Sequence, residues 1–451
     1  MNNTIKLPIN KVYNCDVLVI GAGVAGFSAA VSAARSGAKV ILADKNGCIG
    51  GTATSGMVGP FMSAMNPTGE KQVIFGFMDE FIRRMEKEGG AIHPQKCKGG
   101  DSFSAYRTGG HIGVTPFDIE CFKRIAEEIC IENGITVMYH LLLISCDKEN
   151  GKISRAYFAT KNGVYAIEAK QFIDCTGDAD LAVACGAPTI YGDEDGKTQV
   201  SSLFFLVDGI DKIKLDAHMK ANPDSTHSAQ RYFEKEIENG KKDGTFPCGR
   251  HRISTFESVN NIWRINMTQY DIQIDFSDPQ QVTNAEIECR RQIPIIIAFL
   301  KKNVPGCENI RLLVSSEMLG VRESRRIVGQ YTLTQDDVIS GRSFEDTIAL
   351  SGDSIDIHGT TKSIYVTSSL PTQIPFRCLV PVGVGNLLVA GRCVSAEQVA
   401  LAAVRVMPPC FAMGEAAGIA ASLAAQKDIF VGEIPYKELQ ELLVKNGAFL
   451  G

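Results

Sequence analysis

One short segment near the start of the chain constrains the fold more than any other. An apolar run at residues 15–20 is suited to a buried parallel strand, and a glycine-rich turn, residues 21–26, follows it at once. An alanine-rich stretch at residues 27–36 has helical character, and residues 38–43 predict a second strand that ends on Asp44. This order of strand, turn, helix, strand and acid is typical of a Rossmann-type α/β unit that binds a dinucleotide.

Each glycine of the turn has a physical role in such a unit. Gly21 permits the tight turn, Gly23 lets the backbone approach a pyrophosphate, and Gly26 allows the helix to pack closely on the strand. The helix N-terminus supplies unpaired N–H groups and a partial positive charge for the pyrophosphate. Asp44 lies at the sequence distance at which an acid accepts hydrogen bonds from ribose hydroxyls. The pattern predicts a dinucleotide site, but it does not choose between NAD and FAD.

A second small-residue segment follows Asp44 after a short loop and consists of glycines and hydroxyl side chains: Gly50, Gly51, Thr52, Thr54, Ser55 and Gly56. Such a loop can pack against a flat ring and a phosphate chain. At this point the chain resembles the FAD-dependent oxidoreductases of the glutathione-reductase-like superfamily, in which the loop runs under the ribityl chain and the flavin. The resemblance implies FAD as the cofactor, held by a Rossmann-type α/β domain.

Later motifs narrow this resemblance. They occupy residues 174–181, 320–327, 355–358, 374–378, 387–392, 404–408 and 414–418. Together they look like the bacterial family usually called simply FAD-dependent oxidoreductase, a distant cousin of the fumarate reductase flavoproteins. The match covers nearly the whole chain, least clearly residues 201–271, and it does not specify a substrate.

The cofactor-binding residues that the turn, the acid and the resemblance predict come from several segments: Gly21, Gly23, Ala25, Gly26, Asp44, Lys45, Gly51, Thr52, Thr54, Ser55, Gly56, Thr176, Gly177, Asp178, Gly391, Arg392, Gly414, Ala416 and Ala417. In relatives, the last motif is a helix whose N-terminus points at the flavin pyrimidine and stabilises negative charge on the reduced ring. Pro408 and Pro409 before an apolar helix fit that role, and a plain buried helix is the alternative.

Departures from related families indicate how the flavin is held and reduced. Cys48 stands alone before the glycine loop, whereas disulfide reductases carry two redox cysteines just after it. None of residues 50–60 is the histidine that forms the covalent flavin bond in succinate dehydrogenase-type subunits, so we expect noncovalent FAD. No second GxGxxG unit for NAD(P)H is seen. Electrons are then expected from the substrate, from a protein partner, or from a nicotinamide that visits the flavin.

The length of the chain and its changing texture predict two structural regions. A chain of 451 residues exceeds the size at which a single core usually keeps growing. Charge density rises and the glycine motifs stop after residue 200. We therefore expect the FAD-binding domain in two parts, residues 1–200 and 310–451, with an inserted α+β substrate or cap lobe at residues 201–309.

Composition excludes several classes of protein. The net charge of -5 and the absence of a basic run give no reason to expect a nucleic-acid partner. Residues 1–14 do not form a signal peptide, and runs such as residues 293–300 are too short to span a bilayer, so a cytoplasmic location without membrane contact is expected. The 14 cysteines show no close ligand spacing, so reduced thiols are favoured and no metal site is predicted. The oligomeric state is left open.

Four side chains are candidates for contact with a substrate. Arg322 begins a cluster of charged residues that continues to Arg326, and an arginine can bind a carboxylate with two hydrogen bonds. Arg377 and Arg405 lie close in sequence to segments that reach the flavin in relatives, and His358 could move a proton at neutral pH. For these residues an internal structural network is the competing interpretation. The remaining histidines carry no surrounding motif and are interpreted as structural: His93, His111, His140 and His251.

The sequence therefore favours hydride exchange at flavin N5 with a small polar or anionic organic molecule. In this hypothesis Arg322 and Arg377 hold the anion and His358 handles a proton. Two alternatives stay open: a flavin monooxygenase, and an electron-transfer subunit whose donor or acceptor is a protein partner.

Overall fold

A computed structural model of the chain describes residues 7–62, 64–97, 113–221, 233–359, 363–366 and 368–451. Its strands are β1 (Ile9–Ile20), β2 (Val40–Ala43), β3 (Thr136–Met138), β4 (Leu142–Glu149), β5 (Lys152–Thr160), β6 (Gly163–Asp174), β7 (Thr189–Tyr191), β8 (Phe205–Asp208), β9 (Thr255–Glu257), β10 (Trp263–Ile265), β11 (Arg311–Ser315), β12 (Arg325–Ile327), β13 (Thr347–Ser351), β14 (Ile355–His358), β15 (Ser363–Val366), β16 (Thr372–Pro375) and β17 (Leu387–Val389). Its α-helices are α1 (Val24–Arg35), α2 (Phe77–Lys87), α3 (Ile119–Glu132), α4 (Asp180–Ala184), α5 (Lys212–Ala221), α6 (Glu234–Asp243), α7 (Pro279–Asn303), α8 (Gln335–Ser340), α9 (Gln398–Val404), α10 (Met407–Lys427) and α11 (Tyr436–Lys445).

The main sheet has a parallel centre with an antiparallel extension. Its strand order is β3-β2-β1-β6-β5-β4, and β17 pairs with the end of β6. The pairs β3–β2, β2–β1, β1–β6 and β6–β17 are parallel, whereas β4, β5 and the first half of β6 are antiparallel. Strand β6 is continuous from the antiparallel hairpin that it forms with β5 to its parallel end at Asp174. The predicted Rossmann-type α/β architecture is confirmed.

Two helices form a tightly packed pair on one face of this sheet. Helix α1 is buried from Val24 to Ala33 because its residues are small or apolar on every side, and α10 is buried over nearly its whole length. The hydroxyl of Ser28 donates to the carbonyl oxygen of Phe411 at 2.7 Å. The ring of Phe27 lies between helices and contacts the rings of Phe77 and Phe81 edge to face at 5.0 and 5.2 Å. This packing fixes α1, and with it the glycine turn.

The inserted lobe has its own sheet and its own hydrophobic core. Strands β11, β8, β10 and β9 pair in that order, all antiparallel, and Trp263 and Phe205 are fully buried in a core that runs from Leu203 to Leu319. Strand β11 lies beyond residue 309, so the lobe extends past the end expected from the sequence. From its apolar sequence, β11 was assigned to the second FAD-binding segment, but it pairs with β8 of the lobe.

A buried arginine of the lobe joins it to the first segment. The guanidinium of Arg264 donates to the carbonyl oxygens of Val58 at 2.8 Å and Phe117 at 2.7 Å, and it lies 4.0 Å from the centroid of the Phe117 ring. This contact holds the lobe against the loop that follows the glycine-rich segment.

Candidate functional site

Four parallel strands end level with one another and form the floor of a cavity. Ile20 of β1 lies opposite Ala43 of β2 and Asp174 of β6, and Asp174 lies opposite Val389 of β17. The residues that follow these ends therefore meet at one edge of the sheet, where ligands of open α/β folds bind. They line a cavity of about 250 Å³ together with the start of α10, and its lining includes the following predicted residues: Gly21, Gly23, Ala25, Asp44, Lys45, Gly51, Thr52, Thr176, Gly177, Asp178, Gly391 and Arg392.

The three glycines of the first turn differ in what surrounds them. A side-chain carbon on Gly21 would lie 2.4 Å from the carbonyl oxygen of Cys175, and Gly21 has a φ of +96°. A side-chain carbon on Gly26 would lie 1.7 Å from the carbonyl oxygen of Gly21. Gly23, the N-cap of α1, faces open space with no atom within 4 Å, and its φ of -62° suits any residue. Gly21 and Gly26 are thus required by packing, whereas Gly23 keeps the cavity open.

Asp44 is buried at the end of β2 and bonds to the neighbouring backbone. Its two carboxylate oxygens accept hydrogen bonds from the backbone N–H groups of Ala22 and Asn46. Burial raises the pKa of Asp44, and these two N–H groups oppose that effect. Each oxygen can accept a further hydrogen bond, and Asp44 lines the cavity, so it has the acceptor capacity that a ribose hydroxyl requires.

The glycine–hydroxyl loop turns its residues to two different sides. Gly51 and Thr52 line the cavity, but a 3₁₀ turn at Gly51–Ala53 directs Thr54 and Ser55 into a separate cavity of about 650 Å³ beside Cys48. The Thr54 hydroxyl donates to the carbonyl oxygen of Ile49 at 2.9 Å. Gly56 packs against the backbone of Thr52 and lines neither cavity. Of the loop residues predicted to bind the cofactor, Gly51 and Thr52 line the first cavity, which we call the cofactor cavity, whereas Thr54, Ser55 and Gly56 do not.

Arg392 connects the two later glycine turns. Its Nε donates to the carbonyl oxygen of Gly177 at 2.8 Å, and its Nη2 donates to Asp178 at 2.7 Å. Burial alone would raise the pKa of Asp178, but the Arg392 guanidinium and the Ser324 hydroxyl lower it. Asp178 is therefore ionised at the cavity edge.

Helix α10 meets the cavity with its N-terminus only. Val406, Met407 and Cys410 line the cavity. Pro408 and Pro409 have no N–H, and the Cys410 N–H donates to the carbonyl oxygen of Val406 at 3.3 Å, so the Met407 N–H is the free backbone donor of this first turn. A side-chain carbon on Gly414 would lie 2.1 Å from the carbonyl oxygen of Ala25, and Ala416 and Ala417 are completely buried. The predicted cofactor contacts of Gly414, Ala416 and Ala417 are thus replaced by packing, mainly between α10 and α1.

A second cavity, of about 310 Å³, adjoins the first. The two share Thr52, Val58, Pro60, Met62, Val321, Arg322, Arg405 and Val406 as lining residues. Its other residues come from the loop after the glycine-rich segment, from the lobe and the residues that follow it, from α9, from the hairpin β14–β15, from the segment at residues 352–354 and from Val114. We name it the distal cavity. It lies where a ligand could contact the reactive end of a cofactor held in the first cavity.

Two arginines, the buried Arg322 and the half-buried Arg405, line the distal cavity, and the buried Arg250 lies near them. Arg322 donates to the carbonyl oxygen of Val200, Arg405 donates to the side chain of Gln199 at 3.3 Å, and Arg250 donates to Asn266 at 2.8 Å. None of the three forms an ion pair with a carboxylate of the described residues, and the Nε of Arg405 is buried with no described partner. Burial and the neighbouring Arg250 and Arg405 lower the pKa of Arg322.

His358 and Asp356 form a pair beside these arginines. The Nε2 atom of His358 lies 3.0 Å from an Asp356 carboxylate oxygen, and both residues line the distal cavity. Burial and the Arg322 cation lower the pKa of His358 to about 3, although Asp356 opposes them. The imidazole is therefore neutral at pH 7 in the protein without a ligand, which differs from the ordinary titration expected from the sequence.

The neutral His358 predicts a pH dependence of stability. Its folded pKa lies below the unfolded value, so the unfolded chain binds more protons between pH 6.5 and 3, and stability falls as the pH is lowered through that window. Lowering the pH from 8 to 5 should therefore reduce the free energy of unfolding of the wild type by about 2 kcal/mol more than that of His358→Gln. Urea unfolding of both proteins at the two pH values measures it. An unchanged difference between the two proteins would show that the folded imidazole titrates normally.

Arg377, which the sequence analysis placed at the substrate, lies outside both cavities. Its guanidinium bonds to the Asp346 carboxylate through two contacts, at 3.0 and 3.1 Å, and lies 5.2 Å from the centroid of the Tyr331 ring. The side chain is 47% exposed and lines neither the cofactor cavity nor the distal cavity. The structure thus brings Arg322, Arg405 and His358 together and leaves Arg377 out, because the 3₁₀ turn at Phe376–Leu379 directs it toward Asp346.

The other histidines make local contacts or fall outside the description. His93 lies 2.8 Å from Asp79, and His251 lies 3.2 Å from the amine of Lys241. His111 lies outside the described residues. Within the described ranges, no group of three or more His, Cys, Asp or Glu side chains is placed to hold a metal ion. In those ranges no single helix is long and apolar enough to span a membrane, though the bent pair α9–α10 meets that criterion by length and composition.

Comparisons with known proteins bear on the chain as a whole and on short segments. The family model described as FAD dependent oxidoreductase matches residues 16–443. The 4-oxocyclohex-2-ene-1-carboxylate 5-dehydrogenase of Sinomonas cyclohexanicum is 50% identical over 52 residues, which are 12% of this chain and 8% of that protein. A fumarate reductase (cytochrome) of Shewanella frigidimarina is 66% identical over 38 residues, 8% of this chain and 7% of that protein. The aligned segments are a small fraction of either relative's length.

Solved structures align over most of the chain at low identity. A geranylgeranyl bacteriochlorophyll reductase-like protein from Thermoplasma acidophilum has a TM-score of 0.47 and 12% identity, and the alignment covers 97% of this chain and 85% of that one. The p-nitrophenol 4-monooxygenase of Pseudomonas putida DLL-E4 has a TM-score of 0.46 and 10% identity, with the same coverage.

Proposed function

Because the chain belongs to the family of FAD-dependent oxidoreductases, we propose that it exchanges a hydride with a small anionic organic molecule beside noncovalently bound FAD. The family confirms the resemblance stated from the motifs, and it establishes that the protein is a flavoenzyme. The finer assignments, which are the anionic substrate, the reaction and the residue roles, are proposals that rest on the two cavities.

The residues of the first cavity fit FAD. The open face of Gly23 and the first turn of α1 would take the pyrophosphate, and Asp44 would take the ribose hydroxyls of the adenosine half. The N-terminus of α10 supplies partial positive charge at the far end, and Arg392, which is paired with Asp178, supplies hydrogen-bond donors there. Bound FAD supplies two-electron hydride chemistry. No histidine is among the described residues that line this cavity, which supports noncovalent binding.

Arg322 and Arg405, neither of which forms an ion pair with a described carboxylate, are the observation that carries the anionic substrate. Burial lowers the pKa of both guanidinium groups and Asp356 opposes this only in part, so an anion that binds between them would offset the remaining cost of burial. Two guanidinium groups can also fix the orientation of a carboxylate through paired hydrogen bonds. The proposed substrate anion therefore lies at the junction of the two cavities.

His358 and Asp356 would handle the proton of the reaction. When FAD is bound it would supply the two-electron hydride exchange, and His358 would take the proton that the substrate loses on oxidation or return it on reduction. A bound anion would offset the Arg322 charge that lowers the pKa of His358, so the imidazole would become a better base when substrate is present. The inserted lobe would cover the reacting groups and exclude water.

Anaerobic screening with matched acids and amides tests this proposal. Saturated and 2-hydroxy acids are mixed with the oxidised holoenzyme, and unsaturated acids with the dithionite-reduced holoenzyme, while flavin absorbance is followed. We expect at least one acid to react, and its neutral amide to react about ten- to a hundredfold more slowly because a charge-assisted contact is lost.

The outcomes separate the proposal from its alternatives. Amides that react as fast as their acids would contradict the anionic substrate. Reduced enzyme that hydroxylates a substrate with oxygen, with no acid reacting anaerobically, would favour the monooxygenase. Reactivity confined to a co-purified redox protein would favour the electron-transfer subunit.

A further inference from the structure

The charged side chains that line the distal cavity form one connected cluster. Arg405 donates to the backbone carbonyl oxygen of Asp356 at 3.2 Å, Asp356 pairs with His358, and Arg322 lies close enough to lower the pKa of that imidazole. Arg322 and Arg405 are the cations among the described lining residues, and Asp353 and Asp356 are the acids. The two cations of the lining therefore lie together, with Asp356 beside them.

An apolar group of side chains from other segments lines another part of the distal cavity. The rings of Phe204 and Phe256, at the lobe strands β8 and β9, are stacked with centroids 6.5 Å apart. Met62 packs against Val114, and Met65 lines the same cavity. Methionine side chains are flexible and polarisable, so this part of the lining can adapt to hydrocarbon bodies of different shapes.

We propose that the substrate class of this site is a monocarboxylate with an apolar, ring-sized body. The inference rests on the proposed function and deepens it. The carboxylate lies on Arg322 and Arg405, and the hydrocarbon body lies against the phenylalanine and methionine side chains. With Arg322 and Arg405 occupied by the first carboxylate, the charged groups left for a second carboxylate among the described lining residues are Asp353 and Asp356, which repel it. Dicarboxylates are therefore disfavoured.

Equilibrium binding to the oxidised holoenzyme tests the class without requiring turnover. The probes are cyclohexanecarboxylate, acetate, succinate and cyclohexanol, and the readouts are the perturbed flavin spectrum and equilibrium dialysis. We expect cyclohexanecarboxylate to bind at least about tenfold more tightly than each of the other three, because only it satisfies both parts of the cavity.

Variants assign the two parts separately. Phe256→Gln and Met62→Gln should each weaken cyclohexanecarboxylate about tenfold and leave acetate unchanged. Phe430→Gln, which alters a partly exposed ring outside the cavity lining, is the matched control and should change neither. Using two variants from different segments guards against one that fails to fold.

Each contrary outcome has a distinct meaning. Succinate or acetate binding as tightly as cyclohexanecarboxylate would overturn the apolar class and leave the anion site standing. An unchanged affinity for cyclohexanecarboxylate in both well-folded variants would also overturn it. Cyclohexanol binding as tightly as the acid, or no acid binding by dialysis, would contradict the proposed function itself.

Discussion

The Gly23→Leu variant is expected to fold like wild type and to purify without FAD. The backbone at Gly23 has a φ that leucine adopts freely, and no atom lies within 4 Å of the added carbon, so the fold gives no reason for instability. The same side chain would fill the space that the pyrophosphate needs at the start of α1. Affinity for FAD should fall by more than about a hundredfold, because phosphate contacts with several backbone N–H groups are lost.

Flavin absorbance per chain and FAD titration of the apoprotein measure this effect. Melting temperatures must be compared between apoproteins, because bound FAD stabilises the wild type. Gly414→Ala is a control for which we expect a loss of stability. Its added carbon would lie 2.1 Å from the carbonyl oxygen of Ala25, so it should lower the apoprotein's stability by about 1–3 kcal/mol. A yellow Gly23→Leu protein with equimolar FAD would place the cofactor away from this turn.

The Arg322→Met variant is expected to lose about ten- to a hundredfold in kcat/KM toward the acid found by screening, and to keep its FAD. Methionine retains the length and apolar stem of arginine but cannot pair with a carboxylate. Arg322→Lys should recover part of the loss, because the charge returns without the paired geometry. Neutral amides should be affected much less than acids.

The free energy of unfolding distinguishes a substrate-binding role of Arg322 from a structural role. Removing a buried cation that lacks a carboxylate partner should leave the free energy of unfolding within about 1 kcal/mol of wild type, or raise it. The matched control is Arg377→Met, which breaks a half-exposed pair with Asp346 and should leave kcat/KM unchanged. A strongly destabilised Arg322→Met protein, or equal kinetic losses in both variants, would contradict the assignment.

The predicted residues that line the cofactor cavity are those whose positions depend on local backbone geometry alone. The turn at Gly21–Gly26 and the acid Asp44 follow strand ends directly, so finding the strands was sufficient to place them. The same holds for Thr176 and Gly391, which follow β6 and β17. In each case the spacing of apolar residues and glycines determines the position without reference to distant contacts.

Other parts depend on packing between segments far apart in the chain. Thr54 and Ser55 were expected at the cofactor, but a single 3₁₀ turn directs them to the other side of the loop. Gly414 has the small size that cofactor contact and helix packing both favour, and only the neighbouring α1 decides between them. The sequence assigned the anion to Arg322 and Arg377, but Arg377 pairs with Asp346 outside both cavities and Arg405 lies beside Arg322 instead.

Several candidate residues were missed in the sequence analysis, and only one of them, Asp356, carried a signal that could have been used. Arg250 lies in the lobe without a surrounding motif, and its importance comes from burial next to Arg322. Asp356 stood in a recognised motif two residues before His358, so its pairing with the imidazole could have been proposed from the strand spacing. The apolar lining comes from Met62, Phe204 and Phe256, which only the tertiary fold brings together.

The most direct test of the central claim is identification of the flavin after denaturation. Purified wild-type protein is denatured, the polypeptide is removed by filtration, and the flavin in each fraction is quantified and identified. The two adjoining cavities predict FAD, equimolar with the chain, entirely in the filtrate. Flavin retained on the polypeptide, FMN in place of FAD, or a protein that binds no flavin even after incubation with FAD would contradict the account.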